Sequence, residues 1–336
     1  MSSHLPGHLK NATYSNSANT GLWYDKFFNK WTVTANDWKL DAPTKQKWIN
    51  TVAAKPCGDR KLLAEHHKRI TELTEQLGGG YRIYSNVYRF VSGLGREHPV
   101  ENGFAWHHTL GTPFLPGSSV KGTLRAFLTT WANIPEAEIT GIFGSRDSRT
   151  QHSVGSVVFL DAIPVAPPTL KADVMTPHYD PYYQNDEVPG DWHSPIPIPF
   201  LTVAPGAKFL FAVLPRTTAG ADKADCEKIL NWLSDALETS GAGAKTAIGY
   251  GRFRPVAATL AAPAQHPLFK EIDAATPQNA AQIVDKILVV SDAALKKQLA
   301  QKMSKKTGGR EFRTARQKAA EKPGHWLNRL QKTSEQ

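Results

Sequence analysis

The chain has 336 residues, 40% of them hydrophobic, with 40 Lys+Arg against 30 Asp+Glu and a formal net charge of +10. That is enough apolar material for one large or two ordinary domains, and the cationic excess favours a polyanionic partner, leaving nucleic acid, an acidic protein and a membrane surface open. Cys57 and Cys226 stand far apart in no metal-ligand spacing. That argues against a disulfide framework or structural zinc and for a reduced, cytoplasmic protein. The polar stretch from Met1 to Thr20 lacks a signal-peptide core and no run is apolar enough to span a bilayer, so no membrane attachment is expected.

Residues 1–18 are expected to be disordered. An aromatic cluster follows (Trp23, Tyr24, Phe27, Phe28, Trp31, Trp38), interleaved with Lys26, Lys30 and Lys39. Core packing is favoured over a base-stacking platform, because aromatic side chains carry the largest apolar area to bury. Lys61 to Leu77 reads as a helix burying Leu62, Leu63, His66, Ile70, Leu73 and Leu77, stopped by Gly78-Gly79-Gly80. The adjacent His66 and His67 diverge on a helix and make a poor metal pair. Tyr81 to Leu94 alternates like a strand, and Tyr81, Tyr84, Tyr88, Arg82 and Arg89 suggest a sheet face for RNA stacking and phosphate contact. Phe104 to Leu110 reads as a second strand, on which His107 and His108 face opposite sides.

Pro116-Gly117 makes a turn into a helix, with Ser118 or Ser119 as N-cap and Val120, Leu124, Phe127, Leu128 and Trp131 as its buried stripe. Lys121 and Arg125, four apart, share a face near its N-terminus. Together with the free amides and the helix dipole they form a candidate anion site, the alternative being a solvated charged face. Gly155 to Ile163 reads as a strand, whereas Asp173 to Leu201 is too polar and proline-broken for a core element.

Ala221 to Thr239 has helical periodicity and Ala247 to Val256 reads as a strand. Between them lies Gly-x-Gly-x5-Gly-x-Gly: Gly241, Gly243, Gly249 and Gly251, with Lys245, Thr246, Tyr250 and Arg252. Ala244 stands where a phosphate loop needs glycine, Thr246 where the dinucleotide fingerprint needs its third, and the order helix, loop, strand is reversed from both. Two readings remain, a helix C-cap running into a bulged strand and a loop whose amides approach a ligand. Beyond an Ala/Pro linker from Ala257 to Pro267, Ala280 to Met303 is helical. A basic run from Lys302 to Lys332 is either a solvated, partly disordered tail or a phosphate-binding segment.

Five motifs in order resemble the RAMP superfamily of CRISPR RNA-binding proteins, and within it the family of the sixth subunit of the Cmr complex, the type III-B effector. They are Asn19 to Lys26, Leu115 to Arg125 with Ile142-Phe143-Gly144-Ser145, Gly155 to Ile163, Asp173 to Leu201, and Gly241 to Gly251. The resemblance implies an α+β RAMP fold with a ferredoxin-like, RRM-like βαββαβ core and insertions over residues 19–256. A linker, helix and basic C-terminal extension over residues 257–336 lies outside it. It further implies a non-catalytic subunit that binds CRISPR guide RNA near its 3′ end, supports target-RNA capture beside other Cmr subunits and needs no metal or cofactor. The expected RNA contacts are Lys121, Arg125, Gly241, Gly243, Lys245, Thr246, Gly249, Tyr250 (stacking on a base), Gly251 and Arg252. Met175, Tyr179 and Trp192 are expected as a base wedge or subunit contact. The rival readings are a metal-independent endoribonuclease drawing on His107, His108, Asp173, His178 or Asp191, and a basic scaffold binding only protein.

Overall fold

The computed structural model describes residues 12–15, 17–33, 38–145, 153–177, 180–184, 188–190, 192, 194–256, 268–290, 293–309, 312–321 and 325–335. The chain divides into two compact units, Met1–Ala261 and Ala262–Gln336. The first contains, in order, α1 (Thr20–Lys26), β1 (Thr32–Val33), β2 (Trp38–Lys39), α2 (Ala42–Val52), α3 (Arg60–Leu77), β3 (Gly80–Asn86), β4 (Trp106–His107), β5 (Thr112–Pro113), α4 (Gly117–Thr130) and α5 (Glu136–Phe143). It continues with β6 (Val157–Phe159), β7 (Ile163–Pro164), β8 (Leu170–Met175), α6 (Asp180–Tyr183), β9 (Ile198–Val203), β10 (Lys208–Pro215), α7 (Gly220–Thr239) and β11 (Phe253–Pro255).

The main sheet runs β11-β3-β10-β6, with β7 also on β10 and every pair antiparallel. In chain order β3, α4, β6, β10, α7 and β11 are a βαββαβ unit whose first strand lies between the fourth and the third, the ferredoxin-like connectivity. Its centre is β10, buried from Phe209 to Pro215. A continuous apolar run lacks the alternation that marks a half-buried strand, so periodicity does not reveal it.

Both faces of this sheet are covered. Tyr84, Phe209, Phe211 and Val213 point to one face, where Ile229, Leu230, Leu233 and Leu237 of α7 and Val120, Leu124 and Leu128 of α4 join them in one core. Each such aliphatic side chain contributes about 1.5–3 kcal/mol by leaving water. Ile83, Leu210 and Ile163 point to the other face, where Leu63 of α3 packs with Ile163. The expected RNA-reading face is therefore absent from β3. Arg82 donates to Leu230 O (2.7 Å) and Asn231 Oδ1 (2.6 Å), and the Tyr84 hydroxyl meets Ser234 Oγ at 2.9 Å. Both side chains are spent on α7.

Other expectations are corrected at their ends. α3 starts after the Asp59 cap and stops at left-handed Gly78, but it buries Leu63 and Thr74 and leaves Leu62, Leu73 and Leu77 exposed. One apolar side chain, Leu63, suffices where the helix lies across a sheet. The strand foreseen over Phe104–Leu110 is the two-residue β4, and the one over Gly155–Ile163 splits into β6 and β7, where Ala162 turns aside to pair with Leu115. The aromatic cluster is core, as favoured: Trp23, Tyr24 and Phe28 are buried, with Trp48 stacked on Trp23 at 5.6 Å. Residues 1–11 of the foreseen disordered start lie outside the described residues. Tyr14, within that start, packs on Trp23 (5.8 Å) and bonds Thr20 Oγ1 (3.0 Å).

The second unit holds α8 (Leu268–Asp273), α9 (Ala280–Val289), α10 (Ala293–Thr307), α11 (Arg313–Glu321) and α12 (Trp326–Glu335). Ile272, Ile283, Val284, Ile287, Leu299, Met303, Phe312, Leu327 and Leu330 form its core. The single helix expected over Ala280–Met303 breaks at Val290, which is extended at φ −60°, ψ 124°. The basic run is not a loose tail, because Phe312, Leu327 and Leu330 anchor its helices.

Candidate nucleic-acid interface

The glycine loop leaves α7 at Ser240 and folds back on itself before β11. Ala242 N donates to Gly251 O (2.9 Å), Ala244 N to Val91 O (2.8 Å) and Gly251 N to Arg89 O (2.8 Å). These bonds bring backbones too close for a side chain. A Cβ on Gly251 (φ 66°) would meet Ala242 O at 1.9 Å, and one on Gly243 (φ 93°) would meet Val91 O at 2.3 Å. Much of the glycine content thus serves the loop's own closure. The strand expected from Ala247 is instead a 3-10 turn, Thr246–Ile248, and β11 begins only at Phe253.

That closure narrows the amide-lined pocket to the loop's tip. The amides of Gly241, Ala242, Ala244, Ile248, Gly249, Tyr250 and Gly251 all find acceptors within the chain. What faces water is the tip, with Gly243 and Ala247 exposed and Ile248 at 66%. Lys245, half-buried and left-handed at φ 60°, sets its ammonium 5.6 Å from the Phe200 ring centroid, a cation–π distance. Arg252, also half-buried, donates to Glu238 O at 3.2 Å.

Tyr250 does not offer its ring to a base. It is 6% exposed, edge-on to Tyr88 (5.3 Å) and tilted against Phe200 (6.2 Å), and its hydroxyl donates a short hydrogen bond to Asp173 Oδ2. Burial, then this bond, push its hydroxyl pKa well above the usual phenol value. Arg89 Nη1 reaches the same Asp173 oxygen at 2.6 Å and donates to Ala172 O at 2.9 Å. Asp173 ties together the end of β8, the segment after β3, and the loop.

β8 and β9 form an antiparallel hairpin in register from Leu170↔Val203 to Met175↔Ile198. The stretch judged too polar for a core element is therefore only partly so, since Phe200 and Leu201 are buried. The arm beyond it exposes Tyr183 (72%), Val188 (68%) and Trp192 (69%). Of the expected wedge residues, Trp192 stands out from the surface and Met175 is half-buried against the core, while Tyr179 lies outside the described residues.

The α4 site departs further from expectation. The helix begins at Gly117 after Pro116, so neither Ser118 nor Ser119 caps it, and Gly117 N donates instead to Asp161 Oδ1 at 2.7 Å. A carboxylate already occupies the anion position at this N-terminus. Arg125, 15% exposed, stands 3.8 Å from Glu136. Lys121 is half-buried, and burial followed by Arg125 lowers its ammonium pKa, so an incoming anion would be favoured there. α4 packs on α5, α7 and β6, a different setting from the loop–hairpin edge.

Of the five nuclease candidates, His107, His108 and Asp173 lie among the described residues. Asp173 is committed to Arg89 and Tyr250, and His178 and Asp191 lie outside the described residues. His107 instead approaches His66, with ring centroids 6.0 Å apart, and burial lowers both pKa values. Among the described residues no group of three or more His, Cys, Asp or Glu is arranged to hold a metal.

Compared with known proteins, residues 58–254 match the family model of the RAMP superfamily. The chain is 32% identical over 263 residues to the CRISPR system Cmr subunit Cmr6 of Pyrococcus furiosus, covering 61% of this chain and 76% of that one. The chain belongs to the RAMP superfamily, in the Cmr6 family. A second Cmr6, from Saccharolobus solfataricus, is 28% identical over 156 residues, 46% of this chain and 48% of its own length. A chain of the type III-B Cmr-beta complex bound to cognate target RNA shares the fold at a TM-score of 0.51 and 21% identity, over 67% of this chain and 78% of that one. The RAMP match contains Arg89, Asp173, Lys245 and Tyr250 and ends before the helical second unit. Among the described residues no helix is long and apolar enough to cross a membrane.

Proposed function

We propose that this RAMP protein is a non-catalytic RNA-binding subunit of a type III-B Cmr effector, holding guide RNA near its 3′ end while base pairing with the guide selects the target. The observation that carries this reading is the loop–hairpin edge. The solvent-facing tip from Gly243 to Gly249, with Lys245 and Arg252 beside it, is fixed through Asp173 to a hairpin whose arm exposes Trp192. Cations at the tip contact phosphates, and the aromatic arm meets either a splayed base or a neighbouring subunit. Lys121, half-buried on the face of α4 that it shares with Arg125, is a second phosphate contact.

Binding of labelled guide-length RNA to the full chain across a salt series tests this. Lys245→Ala combined with Arg252→Ala removes two phosphate contacts and lowers the slope of log affinity against log salt by about 1.4, at about 0.7 per contact on a single strand. Unchanged affinity and slope would overturn the placement of RNA at the loop. Incubating the same RNA with wild-type chain, with and without divalent metal, leaves it intact if the subunit is non-catalytic.

A further inference from the structure

We propose that the C-terminal helical unit is a second, sequence-independent RNA-binding module, contacting backbone phosphates through the exposed face of α11 and the last turn of α10. This rests on the reading that the subunit's partner is RNA. Between Ala262 and Gln336 there are fourteen Lys and Arg against seven Asp and Glu, so this unit carries seven of the ten net positive charges of the whole chain. Its fold does not need that excess. Folding of the unit rests on the apolar core around Ile283, Ile287, Met303, Phe312 and Leu330.

Three of the unit's seven acids are held in ion pairs away from α11. Glu271 and Asp273 of α8 and Asp285 of α9 pair with Lys286 (2.7 Å), Lys302 (2.7 Å) and Arg329 (2.9 Å). Phe312, just before α11, and Ala315 and Ala319 within it pack with the core, and α11 presents Arg313, Thr314, Gln317 and Lys318 to solvent. At positions i, i+1, i+4 and i+5 these four form one helix face, with exposed Lys305 just before the Gly308-Gly309 turn that leads to it. Among the described residues, Lys305, Arg313 and Lys318 have no carboxylate within 4.0 Å.

The chemistry of that face distinguishes between polyanions. A protein partner needs an apolar centre to its interface, and the described large hydrophobic exposed in this unit is Val289, at the end of α9. Arg, Lys, Thr and Gln without an aromatic or aliphatic anchor are the side chains that bind phosphate oxygens. An excess of positive charge is also self-repelling until a polyanion neutralises it.

The test uses the full chain with Lys305→Gln, Arg313→Gln and Lys318→Gln combined, and single-stranded RNA in a salt series. The expected result is a slope lower by about 2, at about 0.7 for each phosphate no longer neutralised, and an affinity several-fold weaker at low salt, with helical circular dichroism unchanged. A conservative triple variant that exchanges Lys for Arg and Arg for Lys at these positions restores the wild-type slope. An unchanged slope in the glutamine variant overturns the proposal, as does competition by polyglutamate as effective as by unlabelled RNA. If the loop variant K245A/R252A loses RNA and the C-terminal variant does not, the second module alone is wrong. If only the C-terminal variant loses RNA, the loop assignment fails and the module stands.

Discussion

Asp173 is the joint through which the glycine loop and the hairpin hold a common geometry, and its strength is measurable. Its carboxylate accepts from the Tyr250 hydroxyl and pairs with Arg89 at 2.6 Å, with side chains 22% and 25% exposed for Asp173 and Arg89. Those exposures lie between a surface pair, worth about 0–1 kcal/mol, and a buried pair whose breaking costs about 3–5 kcal/mol. Asp173→Asn keeps the shape and removes the charge, so a loss of about 2 kcal/mol follows. Tyr250→Phe keeps the ring packed on Tyr88 and Phe200 and loses one bond to a charged acceptor, about 1.5 kcal/mol. Because both changes act on the same bond, which Asp173→Asn weakens and Tyr250→Phe removes, the double variant should fall short of their sum by about 1 kcal/mol. Urea unfolding of the full chain followed by tryptophan fluorescence reads this out, since eight of the nine tryptophans precede residue 262. Additivity within about 0.3 kcal/mol would refute the shared bond. RNA affinity of the same variants should fall a few-fold with no change in salt slope, because no phosphate-contacting cation is removed.

Gly251→Ala should cost more than about 3 kcal/mol, since the new Cβ would lie 1.9 Å from Ala242 O at φ 66°, whereas Gly249→Ala meets open space and bears only the left-handed strain of about 1 kcal/mol; equal urea midpoints would contradict the loop closure. Leu63→Ala should cost about 2–5 kcal/mol, while Leu62→Ser and Leu73→Ser stay within about 0.5 kcal/mol, a contrast that checks which side of α3 meets the sheet. Burial lowers the pKa of His66, His98 and His107 in the fold, and His98 is further held neutral by accepting from Val100 N at Nδ1 (3.2 Å). The unfolded chain therefore binds more protons, stability is complete above the ordinary histidine value near 6.5, and it is lost as pH falls from there through the lower folded values. Urea midpoints at about pH 7.5 and 5.5 should differ accordingly, and His98→Gln should reduce that difference.

The helices of the core were legible because α4 and α7 repeat apolar residues every three or four positions, and local chemistry marks their ends, as at Asp59 and Gly78. The strands were less so. β10, the most buried, has no alternation to find, and β6 and β7 are interrupted by a residue that pairs elsewhere. Lys245 at an exposed tip could be foreseen from glycine spacing. The partnership of Arg89, Asp173 and Tyr250 could not, since Tyr250 and Asp173 stand 77 positions apart and only the topology makes them neighbours. The same limit explains the missed cap of α4, where the carboxylate at the N-terminus comes from Asp161, 44 positions away.

Covering both sheet faces has a consequence for how a ferredoxin-like protein meets RNA. In an RRM the face opposite the helices carries stacking aromatics, and here that face holds Ile83, Leu210 and Ile163 under α3. A strand of RNA cannot reach it without displacing an 18-residue helix. On the proposed reading, contacts fall at the rim, where the segment after β3, the β8–β9 hairpin and the loop before β11 come together. A rim offers backbone turns and cations in place of a ring platform, which suits holding phosphates and leaving the bases to pair with a target. It also explains why Tyr250, an aromatic in the right loop, is used as a strut. The loop takes its rigidity first from its backbone bonds to Val91 and Arg89, and the Asp173 joint adds the side-chain tie that sets the loop against the hairpin.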